Sequence, residues 1–268
     1  MLFYSGGWGE QVKTVILCGG KGTRLREQTE KVPKPLVEIG GIPILVHIMK
    51  IYSHYGFNDF VLCLGYKGDE IKKYFRDYIF SKGDMKMDLE KDEIKSLVSE
   101  KENWKITFVD TGLETQTGGR IKKIKEHIDG DDFFCTYGDG LSQVDLKELL
   151  EFHQKNGKIA TMTCVQPASP FGMIKFGEDN VITESKEKPP LNQWINGGFF
   201  VFSNKIFDHI GDNEILEKEV FDKLVEEKEI CAFPFDGFWD CMDTFKDNQV
   251  LNEMWKKSEA PWKVWEDG

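Results

Sequence analysis

The feature that most constrains the fold is a short apolar run near the N-terminus that ends in a cluster of glycines. Residues 13–25 read Lys-Thr-Val-Ile-Leu-Cys-Gly-Gly-Lys-Gly-Thr-Arg-Leu. The run from Thr14 to Cys18 has the composition of a fully buried parallel strand. Glycine lets backbone N–H groups turn outward and lets a bulky anion approach without meeting a Cβ, and Lys21 and Arg24 add positive charge. A strand, a glycine turn and a basic residue at the start of a helix together predict a phosphate cradle.

Two well-known phosphate motifs are absent from this stretch. No Gly-Lys-Ser/Thr follows a glycine at the Walker spacing, and Leu25 stands where the dinucleotide fingerprint needs its third glycine. An ordinary glycine-rich turn therefore remains an alternative. Pro33 and Pro35 favour the phosphate interpretation, because they restrict the backbone on both sides of Lys34 and hold its ammonium in one place. Two rigidly placed cations beside a glycine loop suggest a triphosphate.

The composition of the chain limits the kinds of molecule that it can bind. The net charge of −11 over 268 residues argues against nucleic acid or an anionic membrane. The six cysteines include no Cys-x-x-Cys pair, which favours free thiols in a reducing compartment over zinc or a disulfide framework. No apolar run approaches the roughly 18 residues of a membrane span. We therefore expect a cytoplasmic protein that binds small molecules through a few placed cations.

Strand and helix patterns alternate through the first half of the chain, which predicts a mainly parallel, Rossmann-like sheet with helices on both faces. The second half has shorter strands and fewer helices, which predicts a small additional β region. We expect one mixed α/β domain over residues 13–268, with halves at 13–157 and 158–268, preceded by an extension over residues 1–12. The predicted strands lie at 14–18, 59–64, 104–109, 133–137, 159–165, 172–176, 181–185, 195–202 and 230–235.

The section from Ser81 to Asn103 departs from this alternation. Lysines alternate with acidic residues, and apolar residues are scattered. This composition is typical of a solvated excursion or an edge hairpin.

Four further stretches carry candidate binding residues. The turn at residues 111–120 is rich in threonine and glycine and ends in Arg120, which suits contacts with a base or ribose, although a capped loop with an exposed arginine is an alternative.

Asp139 follows an apolar strand and is flanked by glycines, so its carboxylate is expected at the ligand-binding edge of the sheet. It could bind Mg²⁺ together with phosphate oxygens, or it could cap a helix.

The remaining two stretches lie in the second half. The strand containing Asn196, Gly197 and Gly198 is interrupted by glycines, a sign of close approach by a ligand or another backbone. Asp243 follows an aromatic run and offers a second carboxylate, or it belongs to a capping box formed by Thr244 and Asp247.

The motifs together resemble those of the sugar-1-phosphate nucleotidylyltransferases. The resemblance rests on Gly-Gly-Lys-Gly-Thr-Arg-Leu at 19–25, Pro-Lys-Pro-Leu at 33–36 and Val-Glu-Ile-Gly-Gly-Ile-Pro-Ile-Leu at 37–45. It continues through Asp-Thr-Gly at 110–112, Thr-Gly-Gly-Arg at 117–120 and Tyr-Gly-Asp-Gly at 137–140, and covers nearly the whole chain. Within the family, the chain is most similar to members that use CTP and α-D-glucose 1-phosphate.

The resemblance implies a nucleotide-diphospho-sugar transferase fold, Mg²⁺ as cofactor and a homo-oligomer, either a trimer or a hexamer, with contacts in the charged section. The implied reaction makes CDP-glucose and pyrophosphate by in-line attack on the α-phosphate. The implied catalytic residues are Arg24 and Lys34, and the metal ligands are Asp139 and Asp243. The nucleotide site is implied at Leu17, Gly19, Gly20, Gly22, Thr23, Arg24, Lys34, Thr115, Arg120 and Gly138. The sugar-phosphate site is implied at Lys188, Asn196 and Gly197, which lie in the second half.

Two alternatives remain open on the residues alone. The enzyme could use another sugar 1-phosphate, or UTP or dTTP in place of CTP, because backbone carbonyls and hydroxyls can contact either pyrimidine. A non-catalytic sensor of sugar nucleotides could also keep the fold. The set of Arg24, Lys34, Asp139, Lys188 and Asp243 favours the enzyme, because a sensor needs no pair of metal-binding carboxylates.

Overall fold

A computed structural model describes residues 12–22, 25, 29, 32–81, 83–91, 93–97, 102–169, 171–189, 191 and 193–266. The predicted extension, apart from Val12, lies outside these residues. Val12 itself is buried and packs into the larger of two hydrophobic cores.

A seven-stranded sheet forms the centre of the protein, in the order β14-β10-β13-β8-β1-β4-β7. Only β13 runs antiparallel to its neighbours β8 and β10; the other pairings in the sheet are parallel. The strands are β1 (Thr14–Leu17), β4 (Asp59–Leu64), β7 (Lys105–Asp110), β8 (Asp132–Tyr137), β10 (Ala160–Val165), β13 (Ile195–Ser203) and β14 (Ile230–Phe235). The prediction of a mixed, mainly parallel sheet is confirmed.

The direction of the strands sets where a ligand site can form. The carboxyl ends of β1 and β8 lie side by side, because Leu17 is in register with Tyr137. Since β13 is antiparallel, its first residues lie at this same edge, where Asn196 is in register with Cys164 near the end of β10. Parallel α/β sheets bind ligands at the carboxyl ends of their strands. Both halves of the chain therefore supply residues to one edge.

The sheet is covered on both faces. Along β1, Val15 and Leu17 belong to one core and Ile16 to the other, as expected when alternate side chains of a strand point to opposite faces. The helices with described bounds are α1 (Ile44–His54), α2 (Gly68–Ser81), α3 (Thr117–Lys123), α4 (Leu146–Asn156), α5 (Phe221–Glu226) and α6 (Phe245–Lys256), with a π-helical turn at Leu216–Val220 before α5 and short 3₁₀ helices at Lys34–Leu36, Lys125–His127 and Asn204–Asp208.

Local signals in the sequence set several helix ends. The helix α1 follows Pro43 and is succeeded by Gly56, which has a φ of +92°. The predicted capping box is confirmed, because Thr244 and Asp247 exchange side-chain to backbone hydrogen bonds at the start of α6. Asp145 caps α4 through the backbone N–H groups of its first turn.

Among the described residues, four two-stranded sheets lie outside the central sheet. The charged section at 81–103, predicted as a solvated excursion or an edge hairpin, contains one of them: its two strands pair with each other as a hairpin and are not part of the central sheet. The four pairs are β2 (Glu38–Ile39) with β3 (Ile42–Pro43), β5 (Met85–Asp88) with β6 (Glu93–Ser96), β9 (Gly140–Ser142) with β15 (Trp239–Cys241), and β11 (Met173–Phe176) with β12 (Ile182–Lys186).

Candidate active site

A cavity of about 300 Å³ opens at the carboxyl edge of the central sheet. This volume is at the lower end of the range for small-molecule sites. Nine of the residues that line it were predicted as site residues: Leu17, Gly19, Gly20, Gly22, Lys34, Thr115, Arg120, Gly138 and Asp139. The other five are Cys18, Pro35, Gln116, Thr117 and Tyr137. Thr23 and Arg24 lie outside the described residues, so their roles stay predictions.

The buried side chain of Arg120 holds the glycine loop in place through hydrogen bonds. Its guanidinium donates to the carbonyls of Gly19 (3.2 Å) and Leu64 (3.0 Å) and to the hydroxyl of Thr111 (2.6 Å). It also donates to the carbonyls of Gly112 (2.8 Å) and Leu113 (3.3 Å). These bonds join the ends of β1, β4 and β7 around one side chain.

The glycine at position 19 is required by this contact. A Cβ on Gly19 would lie 2.1 Å from a guanidinium nitrogen of Arg120, so any larger residue would displace the brace. Gly20 has no atom within 4 Å of its corresponding position. The two adjacent glycines therefore have different roles, one in packing and one on the open side of the loop.

Arg120 also places a fixed positive charge beside the cavity. The residue is only 5% exposed, and burial lowers the pKa of its guanidinium. Its hydrogen bonds go to neutral carbonyl and hydroxyl oxygens, so the charge is stabilised by dipoles and its field reaches the cavity. The predicted contact of Arg120 with a nucleotide stays a prediction; the bracing contacts were not anticipated from the sequence.

Lys34, Asp139 and Asp243 meet at one point although they are far apart in the sequence. The Lys34 ammonium lies 2.6 Å from Asp139 Oδ2 and 2.6 Å from Asp243 Oδ1. The two carboxylate oxygens are therefore separated by no more than twice that distance. Burial favours a lower pKa for Lys34, but the two aspartates outweigh it and raise the pKa. Lys34 is thus cationic at neutral pH.

The pairing of β9 with β15 explains how the two aspartates come together. Asp139 directly precedes β9 and Asp243 follows β15, whose Cys241 is in register with Gly140. The Met242 N–H donates to the Asp139 carbonyl at 2.9 Å, which fixes the next residue, Asp243, beside Asp139. Each aspartate had a simpler interpretation in the sequence, and it is the sheet pairing that joins them.

The helix α6 aligns Asp243 with the segment that carries Lys34. Asn248 on α6 donates to the carbonyl of Glu38 at 2.9 Å. The Gly40 N–H donates to the Asn252 side chain at 2.9 Å. Because Glu38 lies four residues after Lys34 and α6 begins two residues after Asp243, these bonds restrict the relative position of the ammonium and the carboxylate.

The donor set suits a hard divalent cation. Asp139 and Asp243 converge on a single cationic atom, and carboxylate oxygens are the ligands that Mg²⁺ prefers, commonly one or two of them with phosphate oxygens. Within the described part of the chain, no group of three or more His, Cys, Asp or Glu side chains is arranged to hold a metal. A metal at this point would therefore depend on phosphate oxygens to complete its shell.

The predicted sugar residues lie beside the cavity or outside it. Asn196 donates to the Tyr137 hydroxyl at 3.2 Å, and Tyr137 lines the cavity. The Gly197 carbonyl accepts from the Trp239 indole at 2.6 Å. Lys188 follows β12 on an exposed hairpin with a φ of +45° and is not among the lining residues. The structure brings Asn196 close to the cavity and leaves Lys188 apart from it.

No helix in the described part of the chain has the length and apolar character needed to cross a membrane.

Comparisons with known proteins identify the family of this chain. A model of the nucleotidyl transferase family matches residues 13–267. The chain is 44% identical to a Bacillus subtilis protein named "probable glucose-1-phosphate cytidylyltransferase" and 42% identical to the glucose-1-phosphate cytidylyltransferase of Salmonella typhimurium. Each match covers 95% of this chain and 100% of the relative.

A solved structure of HddC from Yersinia pseudotuberculosis, complexed with GMP-PN, shares the fold. Its TM-score is 0.67 at 24% identity, with 91% of this chain and 100% of that chain covered. The chain belongs to the nucleotidyl transferase family, among its glucose-1-phosphate cytidylyltransferases.

Proposed function

We propose that this chain transfers the cytidylyl group of CTP to α-D-glucose 1-phosphate, forming CDP-glucose and pyrophosphate. One observation carries the proposal: Lys34, Asp139 and Asp243 converge at 2.6 Å contacts beside a glycine-lined cavity. The choice of CTP and glucose 1-phosphate follows the names of relatives at 42–44% identity over nearly the full chain.

The reaction joins two anions, so charge neutralisation and alignment are the main tasks of the protein. An oxygen of the sugar phosphate attacks the α-phosphorus of CTP and forms a new P–O bond. The bond between the α-phosphorus and its bridging oxygen breaks, and pyrophosphate leaves with the electron pair. No covalent intermediate with the protein is required.

Lys34 is placed for this task. An ammonium has three N–H donors, and two of them contact Asp139 and Asp243, so the third can contact a phosphate oxygen. The buried charge of Arg120 attracts the nucleotide to the glycine loop without any need for direct contact. Arg24 is proposed to neutralise the departing pyrophosphate.

Mg²⁺ is the proposed cofactor, with Asp139 and Asp243 as its protein ligands. When bound, it would withdraw charge from the phosphate oxygens and stabilise the charge that develops during transfer. Lys188 is proposed to bind the phosphate of the sugar, while Asn196 and Gly197 line the sugar itself.

We further propose a homo-oligomer. On the hairpin formed by β5 and β6, Met87 is in register with Ile94, and both are about half exposed. Exposed apolar surface of this kind commonly marks an interface. Analytical ultracentrifugation would distinguish the trimer or hexamer from a monomer.

The test of the function is a pyrophosphate-release screen of ATP, GTP, CTP, UTP and dTTP against a panel of sugar 1-phosphates, with Mg²⁺ present. We expect release with CTP and glucose 1-phosphate to exceed that of every other pair. Release that is strongest with a different sugar phosphate or nucleotide would reassign the substrates, and no release with any pair would favour a sensor.

A further inference from the structure

A carboxylate that no motif predicted lies at the margin of the cavity. Glu217 belongs to the π-helical turn Leu216–Val220, and turns of this kind are frequent at functional sites. The turn packs tightly on the start of α3, where a Cβ on Gly118 would lie 2.7 Å from the Glu214 carbonyl. The Gly119 N–H donates to that same carbonyl at 3.1 Å. The small residues of α3 therefore let the turn approach the cavity.

Two hydroxyl groups hold the Glu217 side chain. Its Oε1 accepts from the Tyr137 hydroxyl at 2.5 Å and its Oε2 accepts from the Thr117 hydroxyl at 2.7 Å. Thr117 in turn accepts from the Leu216 N–H at 2.9 Å. Both Tyr137 and Thr117 line the cavity. The carboxylate is thus fixed at the cavity by groups that themselves face it.

A negative charge at this place disfavours phosphate. In the part of the chain that the structure describes, Glu217 bonds to two neutral hydroxyl groups and forms no ion pair with a lysine or arginine, so its charge is available to a ligand. Each carboxylate oxygen can accept a further hydrogen bond beyond the one it already makes. The group it suits is therefore a neutral donor, and a sugar ring carries several adjacent hydroxyl donors.

The hydrogen bonds continue from Glu217 toward the predicted sugar side. Tyr137 accepts from the Asn196 side chain at 3.2 Å while it donates to Glu217. Asn196 is held in turn, because its Oδ1 accepts from the Gly198 N–H at 2.8 Å. One connected set of polar groups therefore runs from the start of β13 to the start of α3.

We propose that Glu217 is a specificity-determining residue that accepts hydrogen bonds from the ring hydroxyls of the acceptor sugar and so selects among sugar 1-phosphates. This inference rests on the proposed function, because it assigns a side chain to the sugar of that reaction. Hydrogen bonds to a carboxylate are stronger than those between neutral groups, and a polar site rejects an analogue that leaves its groups unpaired.

The experiment compares Glu217→Gln with wild type and with Glu226→Gln, an exposed carboxylate on the next helix, α5. Steady-state kinetics are measured with glucose 1-phosphate, galactose 1-phosphate and 2-deoxyglucose 1-phosphate at fixed CTP, and with CTP varied. Calorimetry measures the affinity for glucose 1-phosphate separately from turnover. Thermal unfolding confirms that each variant is folded, and Glu217→Ala repeats the test with the whole carboxyl group removed.

We expect Glu217→Gln to raise the KM and the Kd for glucose 1-phosphate roughly 10- to 100-fold, the effect of losing hydrogen bonds to a charged group. The KM for CTP should change less than about twofold, and the preference for glucose over its analogues should fall. Glu226→Gln should behave as wild type.

Two results would overturn the inference while leaving the function intact. If wild type forms CDP-glucose and Glu217→Gln retains its sugar preference, Glu217 does not select the sugar. If the KM for CTP rises as much as that for the sugar, the carboxylate contacts the nucleotide instead. Failure of wild type to form CDP-glucose would instead contradict the proposed function itself.

Discussion

The glycine loop and Lys188, which follows the hairpin of β11 and β12, are both predicted to contact substrate phosphates, yet their surroundings differ. The loop follows a fully buried strand and is fastened by Arg120 to three strand ends. Within the described strands, the hairpin pairs only with itself, and every residue of β11 is exposed. Lys188 follows that hairpin and is also exposed.

This difference separates two ways of binding a charged substrate. A braced loop is organised before the ligand arrives, so little conformational entropy is lost on binding. A segment with few buried contacts opens at low free energy and can adapt to its ligand. We infer that the nucleotide side is preorganised and that the sugar-phosphate side is ordered by its substrate.

The largest expected loss of activity follows from substitutions at the two aspartates that contact Lys34. Asp139→Asn or Asp243→Asn should lower turnover by on the order of a hundredfold or more, because each removes a charge from the place where transferred phosphate charge develops. Steady-state kinetics with CTP and glucose 1-phosphate measure this loss. Asp145→Asn is a matched control, because asparagine also caps a helix well and Asp145 caps α4. Equal activity in all three variants would remove the two aspartates from the site.

The second prediction compares the two adjacent glycines of the loop, Gly19, which packs against Arg120, and Gly20, which faces open space. Gly19→Ala should lower the free energy of unfolding by about 2–4 kcal/mol, because its Cβ displaces Arg120 from several buried acceptors. Gly20→Ala should leave the free energy of unfolding nearly unchanged, since its Cβ meets no atom within 4 Å. Urea denaturation without ligand measures both. Similar stability of the two variants would show that the loop is not braced as described.

The third prediction concerns His47, a buried histidine on α1. His47 is fully buried; its Nδ1 accepts from the Trp262 indole at 3.3 Å, and its Nε2–H donates to the Ile39 carbonyl at 2.9 Å. Burial lowers the pKa of His47 to about 4. Between about pH 4 and pH 6.5, His47 is therefore protonated in the unfolded chain and neutral in the folded chain. The contribution of neutral His47 to the free energy of unfolding is complete above about pH 6.5 and is lost as the pH falls toward 4.

Wild type should therefore lose about 3 kcal/mol more of its free energy of unfolding than His47→Gln between pH 7 and pH 4. Urea denaturation across this range measures the difference. His54→Gln, at an exposed position near the end of the same helix, is the matched control for replacing a histidine by glutamine. An unchanged slope in His47→Gln would contradict the assignment.

The smallest expected effect on activity is that of replacing the exposed Lys188. Lys188→Ala should raise the KM for glucose 1-phosphate about tenfold and leave that for CTP nearly unchanged, because its contact is expected with one substrate only. Lys186→Ala at the end of β12, where Lys186 pairs with Glu184, should change neither. Equal effects of Lys188→Ala on both substrates would place that lysine on the nucleotide instead.

The sequence was most informative where chain-local signals and strand periodicity decide the structure. The strand at 59–64, the capping box of Thr244 and Asp247 and a hairpin in the charged section follow from such signals. The family resemblance suggested that Asp139 and Asp243 act together, and the pairing of β9 with β15 gives the physical reason.

The sequence could not reveal contacts created by packing between distant segments. Arg120 was predicted to face a nucleotide, whereas its bonds to the ends of β1, β4 and β7 depend on how those strands are arranged. Glu217 lies in a run of charged residues that is typical of a solvated turn. Its bond to Tyr137, eighty residues away, depends on the close approach of the π-helical turn to α3.

The most direct test of the account is competition between CTP and UTP at equal concentration, with glucose 1-phosphate as acceptor and identification of the sugar nucleotide formed. Carbonyls and hydroxyls of the loop and of the turn at 111–120 can contact either pyrimidine, but groups held in one orientation should discriminate between an amino donor and a carbonyl acceptor on the base. We predict that CDP-glucose predominates. Predominant UDP-glucose would contradict the assignment of the cytidylyl group, and equal amounts of the two products would contradict the preorganised nucleotide side.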